Sequence, residues 1–336
     1  MNHGPSGMPS RGRPGRRPVE RGIARRHGLA LGLLLFVGLW STWAVAGEPL
    51  RFGITADNKG HTGFVGIAQR MAEIPGGRIQ FLVSAGDQNP AAMTRSQLDA
   101  VFGKSLPWYP VVGNHEASTT ATDEMKYLRE HYDTHLRGKV NAGPEGTPET
   151  TYSFDAGDVH LAIINEYWDG KPKPGHDAVG SGDVVPALTA WLRKDLAASR
   201  KPWKIVVGHE PAFPQPDQDW ESGRHTTSSL NADPKYRDAF WKVLEDAHLA
   251  AYVCGHTHRY SRYQPEKSSV WQIDVAQARG SSSSWKYDAF VIVTADRASL
   301  TFDVYRNLKK KGRFEVTDSL MLRADAVRAD LLQPAP

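Results

Sequence analysis

The feature that most constrains the fold of this 336-residue chain is a set of short apolar segments that each end in a metal-binding or acid/base side chain. The first segment, within "RFGITADNKG" (51–60), ends in Asp57. Four later segments have a glycine just before their polar residues: Gly86-Asp87, Gly113-Asn114-His115-Glu116, Gly208-His209-Glu210 and Gly255-His256-Thr257-His258. Ligands of open α/β sheets bind outside the carboxyl ends of the strands. The pattern therefore predicts strands whose ends meet at one site, with glycines that let the backbone turn tightly and approach it closely.

Helix-like segments alternate with these strands, which indicates an α/β protein in which helices are layered on a sheet. "TYSFDAGDVHLAIIN" (151–165) predicts a hairpin with its turn at Ala156-Gly157-Asp158, and from about residue 268 the chain predicts strands alone. We expect the strands in the later half to be antiparallel. The predicted helices cover 63–75, 96–104, 122–133, 186–199 and 234–247, and the predicted surface loops cover 136–150, 168–185 and 211–233.

Residues 1–46 have the composition of a signal peptide. Residues 1–27 are polar and rich in arginine, and residues 28–46 are apolar apart from Ser41 and Thr42 and end in Ala44-Val45-Ala46. We expect cleavage after Ala46 and an exported protein, periplasmic or secreted, with a main domain over 47–320 and a C-terminal tail over 321–336. Two alternatives stay open: an uncleaved membrane anchor, and export by the twin-arginine route through Arg25-Arg26 instead of the general secretory route.

The basic sequence pI of about 9.0 has a local origin. The chain holds 41 basic and 37 acidic residues, and residues 1–46 hold seven arginines and one glutamate, which leaves 34 basic and 36 acidic residues. This slightly acidic body gives no nucleic-acid footprint, which would need a basic domain or stripe. The single cysteine, Cys254, follows an apolar run and is interpreted as a buried filler and not as a nucleophile.

The residue types at the strand ends are metal ligands. Aspartate, asparagine and histidine suit hard-to-borderline divalent or trivalent ions, and a carboxylate fits between two such ions. His256 and His258 are two residues apart, so they need a turn rather than a straight strand to serve two ions. We interpret His131, His135, His160 and His248 as surface or packing residues.

In this order, the four glycine-containing segments resemble the conserved blocks of the calcineurin-like metallophosphoesterases. The resemblance covers most of residues 50–305. It implies an α/β fold of the family's type, a four-layer α/β/β/α sandwich with mixed sheets, and assigns the domain over 47–320 to catalysis. It also implies hydrolysis of a phosphate ester, mono- or diester, by a metal-activated hydroxide at a dinuclear site.

The resemblance implies a role for each matching residue. Asp87 bridges two ions, Asp57 and His258 complete the first site, and His115 acts as acid toward the substrate. The second site is completed by Asn114, His209 and His256. The ions are divalent or trivalent, either Mn, Zn or Fe, and the expected partner is a phosphate-ester small molecule.

The first block departs from the family pattern at Lys59, where a histidine is expected. A protonated lysine has no lone pair for a metal, so the first site has three protein ligands unless His61 or water completes it. The tyrosine of the purple acid phosphatases is also absent, because Gln88, Asn89 and Pro90 follow Asp87. This disfavours a purple diiron site.

Two roles stay open for Lys59: contact with a substrate phosphate, or exposure to solvent away from the site. Glu116 either orients His115 and its loop or is a turn residue. In the loops expected to select the substrate, Arg224 is either a phosphate clamp or a solvated charge; Trp168, Lys171, Lys173, His176, Trp220 and His225 lie in the same loops. The impaired first site also leaves a second function open, a non-catalytic protein that binds phosphate or a partner.

Overall fold

A computed structural model describes residues 48–118, 122–136, 140–172, 182–219, 221, 223–280, 287–308 and 313–325. The predicted signal peptide lies outside these residues. The strands are β1 (Leu50–Thr55), β2 (Leu82–Ser84), β3 (Trp108–Pro110), β4 (Asn141–Ala142), β5 (Tyr152–Ala156), β6 (Val159–Ile163), β7 (Trp203–Val207), β8 (Ala251–Cys254), β9 (Tyr260–Tyr263), β10 (Trp271–Val275), β11 (Ala289–Ala295), β12 (Ser299–Arg306) and β13 (Glu315–Arg323). The helices are α1 (Phe64–Ala72), α2 (Ala91–Phe102), α3 (Asn114–Ala117), α4 (Thr122–Glu130), α5 (Tyr132–His135), α6 (Pro186–Ala198) and α7 (Pro234–Asp246).

The strands form two mixed sheets. The first has the order β13-β12-β11-β1-β2-β3, and the second has the order β4-β5-β6-β7-β8-β10-β9. In the first sheet β1, β2 and β3 are parallel, while β11, β12 and β13 are antiparallel. In the second, β6, β7, β8 and β10 are parallel. Each sheet therefore has a group of parallel strands whose carboxyl ends share one edge.

Strand side chains alternate between two apolar layers, as the pleat requires. On β7, Ile205 and Val207 belong to the cluster between the sheets, whereas Val206 belongs to the cluster under α6 and α7. On the first sheet, Phe290 and Ile292 of β11 pack in the cluster that contains α1 and α2. The layers therefore run helix, sheet, sheet, helix, and the predicted four-layer α/β/β/α sandwich is confirmed.

Several predicted boundaries were wrong. The helix predicted over 96–104 begins at Ala91, and β2 and β3 have only three residues each. Residues 321–323 belong to β13 and not to the predicted tail, because they pair with β12. The hairpin of β5 and β6 and the helix over 186–198 match the prediction.

Two histidines interpreted as surface or packing residues, and the cysteine interpreted as a buried filler, are buried. His135 lies against Trp108, with ring centroids 4.9 Å apart. His160 lies between Asp155 and Asp195, at 2.7 and 2.9 Å. Burial of Cys254 raises the pKa of its thiol well above the usual value. Across the described ranges, no helix has the length and apolar character needed to cross a membrane.

Candidate metal centre

The carboxyl ends of the two parallel groups meet, and backbone hydrogen bonds hold them together. The Asp57 amide donates to Gly86 O at 3.0 Å, which joins the ends of β1 and β2. Across the sandwich, the His256 amide donates to Asp57 Oδ2 at 2.9 Å. His209 Nδ1 lies 2.8 Å from Ala85 O. The polar residues predicted at five separate strand ends are therefore brought to one place.

Four donor atoms converge on one side of this place. His209 Nε2 lies 3.3 Å from Asn114 Oδ1, 3.5 Å from Asp87 Oδ1 and 3.3 Å from His256 Nδ1. We call Asp87, Asn114, His209 and His256 the four-donor group. These are the residues predicted for the second metal site.

Three donor residues form the neighbouring group. One ligand atom from each of Asp57, Asp87 and His258 lies within 4.8 Å of the others, and His258 Nε2 is 3.2 Å from Asp57 Oδ1. We call these residues the three-donor group. Asp87 belongs to both groups, so its carboxylate lies where the resemblance requires a bridging ligand.

The backbone at the donors has an uncommon conformation. Asp57, Asp87, His256 and His258 have φ values of +53°, +55°, +70° and +60°. Non-glycine residues adopt this left-handed region rarely, and such strain of about 1–3 kcal/mol per residue clusters at functional sites. The tight turns are therefore at the donor residues, whereas the sequence prediction had placed them at the preceding glycines.

The preceding glycines mainly provide room. A Cβ on Gly255 would lie 2.7 Å from Asp57 Oδ2, and a Cβ on Gly113 would lie 2.5 Å from Asp87 Oδ1. Gly86 alone among the four combines a positive φ, +85°, with such a close approach, because its Cβ would lie 2.1 Å from His209 Nδ1. The predicted close approach of the backbone to the site is therefore present.

The chemistry of the four-donor group fits a cation. Ala85 O can only accept, so His209 Nδ1 carries a hydrogen, and Nε2, which faces the other three donors, is the nitrogen left to bind a cation once it loses its proton. Burial lowers the pKa of His209, but Asp87 and Asp57 outweigh it and raise that pKa to about 9. Burial and the neighbouring His209 lower the pKa of His256 to about 2. The nearby carboxylates attract positive charge, whereas burial and the neighbouring His209 keep His256 neutral, as a metal ligand must be.

His115 and Lys59 lie together at the edge of the donor groups. Lys59 Nζ is 3.1 Å from Asp87 Oδ2 and 2.5 Å from His115 Nε2. The His115 side chain is 44% exposed and the Lys59 side chain is 20% exposed. Burial lowers the pKa of His115, Asp87 opposes this, and Lys59 adds to it. Lys59 therefore lies inside the site. This excludes the second of its two predicted roles, exposure to solvent away from the site.

Glu116 fixes the backbone around Asp87 and Gly113. Among the described residues, no hydrogen bond joins it to His115. Its Oε2 accepts from the amides of Asp87 and Gly113, at 2.9 and 2.8 Å. Burial, together with the Asp87 carboxylate, raises the pKa of Glu116 to about 8. The side chain fixes the backbone that carries Asp87 and Asn114.

The other sequence candidates have separate positions. His61 is exposed, and its Nδ1 lies 3.3 Å from the Gly63 amide, so it is not part of the three-donor group. Trp168 is buried in the layer under α6, and Lys171 pairs with Asp169. Lys173, His176 and Trp220 lie outside the described residues.

Sequence reasoning missed or undervalued several residues of the site. His225 stacks on His256 with ring centroids 4.3 Å apart. Glu166 Oε2 accepts from the amides of His209 and Glu210, at 2.9 and 2.7 Å. Arg279 Nε donates to Asp57 O at 3.1 Å. Of these residues, only His225 had a signal in the sequence, because it lies in a loop that was expected to select the substrate.

The sequence is similar to that of known proteins. A model of the calcineurin-like phosphoesterase family matches residues 50–260. Purple acid phosphatase 21 of Arabidopsis thaliana is 26% identical over 181 residues, which are 52% of this chain and 37% of that protein. The chain spans less than half the length of the curated relatives it matches.

Solved structures share the fold at low sequence identity. A dimetal phosphatase from Danio rerio has a TM-score of 0.54 and 12% identity, with 82% of this chain and all of that chain covered. The structure of PhoD has a TM-score of 0.60 and 10% identity, with 83% of this chain and 70% of that chain covered. These matches support the sandwich architecture.

Proposed function

The chain belongs to the calcineurin-like phosphoesterase family, and on that premise we propose that it is a metal-dependent hydrolase of phosphate esters. The observation that carries the proposal is the convergence of His209 Nε2 with Asn114 Oδ1, Asp87 Oδ1 and His256 Nδ1, all within 3.5 Å of it. The relatives include acid phosphatases, such as that of Aspergillus ficuum at 24% identity. Their activity and the donor chemistry of this chain support the same reaction class.

We propose two metal ions, one held by the four-donor group and one by the three-donor group, with Asp87 shared. When bound, such ions lower the pKa of a water molecule toward 7 and neutralise charge on the phosphoryl oxygens. The ligand types do not select among Mn, Zn and Fe. The chain's own residues then bind the ester, orient it and supply the proton.

His115 is the proposed acid for the leaving oxygen, a role worth about 10²–10⁴-fold in rate. Its Nε2 lies 2.5 Å from Lys59 Nζ at the mouth of the site. Lys59 also supplies a point charge toward phosphoryl oxygens. Glu116 keeps the backbone of this loop fixed through the amides of Asp87 and Gly113.

The function is tested by incubating the purified chain with Mn, Zn or Fe and with p-nitrophenyl phosphate or its bis ester. We expect release of p-nitrophenol that depends on added metal. Preference between the two compounds identifies a mono- or diesterase. Bound metal without turnover of either compound, under every metal, would contradict the proposal.

One observation favours a second candidate, a non-catalytic binder of phosphate or a partner. Lys59 Nζ lies 3.1 Å from Asp87 Oδ2, where it competes with an ion of the three-donor group for that carboxylate. The same assay separates the candidates, because a binder retains metal and phosphate without releasing product. The presence of His115 in the site supports the enzyme.

Replacing Lys59 by histidine is expected to tighten binding of the metal ion at the three-donor group by about tenfold or more. The reason is that an imidazole, which can donate to a metal, replaces an ammonium group that competes with it. Metal bound per chain, titrated in a metal buffer, is the measurement. Lys59→Met is the matched control, because it removes the charge without adding a donor, and we expect a smaller gain. Unchanged metal binding and turnover in both variants would show that Lys59 has no part in the metal site.

We also propose that residues 1–46 direct export and that cleavage follows Ala46. The Ala44-Val45-Ala46 sequence after an apolar run supports this. The expected result is a protein recovered outside the cytoplasm whose first residue is Gly47, measured by N-terminal sequencing. Recovery of the full-length chain in the membrane fraction would instead support an uncleaved anchor.

A further inference from the structure

A buried glutamate lies behind the four-donor group without belonging to it. Glu166 follows β6 and is fully buried. Its Oε2 accepts from the amides of His209 and Glu210, at 2.9 and 2.7 Å. Its Oε1 is hydrogen-bonded to the hydroxyl of Tyr252 on β8, and the same hydroxyl oxygen lies 2.6 Å from Glu210 O. We call Glu166 and Tyr252 the Glu166–Tyr252 pair.

The burial of Glu166 has a cost that an apolar side chain would avoid. Burial and the nearby Glu210 carboxylate raise the pKa of Glu166 to about 7, because the charged form loses its hydration. An apolar residue at this position would instead leave the amides of His209 and Glu210, both in buried residues, without an acceptor. The carboxylate therefore serves the turn that carries His209.

The glycine before His209 makes room for the Glu166–Tyr252 pair. A Cβ on Gly208 would lie 2.1 Å from Glu166 Oε1 and 2.5 Å from Tyr252 Oη. Such distances are shorter than any packing contact, so a larger residue at this position would displace the pair. The sequence places a glycine where the pair must approach the backbone of the ligand turn.

His209 is held at its backbone and at its ring. Its amide donates to Glu166 Oε2 in the second sheet, and its Nδ1 lies 2.8 Å from Ala85 O, which follows β2 of the first sheet. These two contacts fix the position of Nε2, which lies 3.3 Å from both Asn114 Oδ1 and His256 Nδ1. A change at Glu166 would release the backbone contact and let Nε2 move away from the other donors.

The turn that carries Asp87 is held in the same way. Glu116 Oε2 accepts from the amides of Asp87 and Gly113, at 2.9 and 2.8 Å. In both turns a single oxygen of a fully buried glutamate accepts from two amides, one of which belongs to a donor residue. The repetition of this contact behind two different donors favours a role in placing them over an incidental one.

We propose that Glu166, itself oriented by Tyr252, is a positioning residue that aims His209 at the metal ion of the four-donor group. The inference rests on the proposed function, because it requires an ion at that group, but it concerns metal binding and not turnover. It gives the Glu166–Tyr252 pair no contact with the substrate. Loss of a partner that orients a metal ligand lowers metal affinity by about 10–100-fold.

The test is a titration of the metal-free, purified chain with Co²⁺, followed by the visible absorption of the bound ion. Asn114→Ala removes a donor of the four-donor group alone, so the ion that it weakens is the ion of that group. Glu166→Leu, which is similar in size but has no acceptor, is expected to weaken the same ion by about tenfold or more and to leave the ion of the three-donor group within about threefold.

Two further variants distinguish positioning from packing. Glu166→Gln should keep the affinity within about threefold, because its carbonyl oxygen can accept from both amides and its NH₂ group can donate to the Tyr252 hydroxyl. Tyr252→Phe keeps the ring in the core but removes the hydroxyl that orients Glu166, and it should give a loss between those of Glu166→Gln and Glu166→Leu. Tyr252→Phe also decides the question if Glu166→Leu does not fold.

Leu196→Ala is the control for a loss of stability alone. Leu196 is buried near the carboxyl end of α6, which lies at the edge of the sheet opposite the site because α6 connects the parallel strands β6 and β7. Its truncation leaves a cavity and destabilises the protein. We expect the Co²⁺ affinity of both ions to stay unchanged in this variant while it remains folded.

The outcomes separate the inference from the proposed function. Unchanged Co²⁺ affinity in folded Glu166→Leu, or in Tyr252→Phe, would overturn the inference. An equal loss in Glu166→Gln and Glu166→Leu, or in Leu196→Ala, would do the same. Co²⁺ binding as expected without turnover of any phosphate ester under any metal would overturn the proposed function and leave the inference standing. Failure of the unaltered protein to bind Co²⁺ would overturn both.

Discussion

Replacing Asp87 by asparagine is expected to lower phosphate-ester turnover by about 10³-fold or more, equivalent to roughly 4 kcal/mol of transition-state stabilisation. Asp87 is the residue that the four-donor and three-donor groups share: its Oδ1 is 3.5 Å from His209 Nε2, and one of its oxygens lies within 4.8 Å of ligand atoms of Asp57 and His258. Asparagine keeps the size of the side chain but removes the charge that both groups use. Metal bound per chain and kcat/KM, measured together, check this.

The matched control for Asp87 is Asp155→Asn. Asp155 lies on β5 beside the amino end of β6, at the edge of the sheet opposite the site, and pairs with His160 at 2.7 Å. Its variant loses the same charge and should keep turnover within about twofold, as surface changes away from a site do. If folded Asp87→Asn kept full metal content and more than a tenth of the turnover, Asp87 would not be the shared ligand.

Much of the site could be predicted because each donor comes directly after a strand that a short apolar run reveals. Phe52 and Ile54 alternate on β1, and Ile205 and Val207 alternate on β7, so the period of two marks both strands. Parallel strands bring the residues at their carboxyl ends to one edge of a sheet. The turn at Asp57 carried no signal of its own. The rule was still enough to predict that Asp57 lies beside the four glycine-containing segments.

The convergence of Arg224 and Arg279 beside the donor groups could not be predicted from such rules. Arg279 meets the backbone of Asp57 across 222 residues of sequence, and it comes after no glycine or ligand signature. Arg224 comes from a long loop in which a charge is usually solvated. Their convergence depends on how loops fold over the strand ends, which apolar periodicity does not encode.

The short strands were also beyond sequence reasoning. β2 and β3 each pair through three residues, although the apolar runs around them are longer. Flanking residues still bond to the neighbouring strands: the Ala85 amide donates to Thr55 O at 2.7 Å, and the Val111 amide donates to Ser84 O at 2.8 Å. Asn114 begins a short helix after β3, where the sequence prediction had placed the end of a strand.

Gly86→Ala is expected to destabilise the protein by about 3 kcal/mol or more and to remove metal binding at the four-donor group. Gly86 has a φ of +85°, which a residue with a Cβ adopts only with strain. Its added Cβ would lie 2.1 Å from His209 Nδ1, which must keep its contact with Ala85 O to aim Nε2 at the other donors. The free energy of unfolding in urea and the metal content are the two measurements.

Gly66→Ala makes the same chemical change as Gly86→Ala, but we expect it to stabilise the protein. Gly66 lies in α1, and an added Cβ there meets no atom within 4 Å. Alanine favours a helix over glycine by about 0.5–1 kcal/mol, so this variant should gain stability and bind metal normally. A Gly86→Ala protein as stable as Gly66→Ala, with metal bound, would show that the site tolerates displacement of His209. Loss of metal in Gly86→Ala under conditions where the protein is still folded would tie the glycine directly to the orientation of the imidazole.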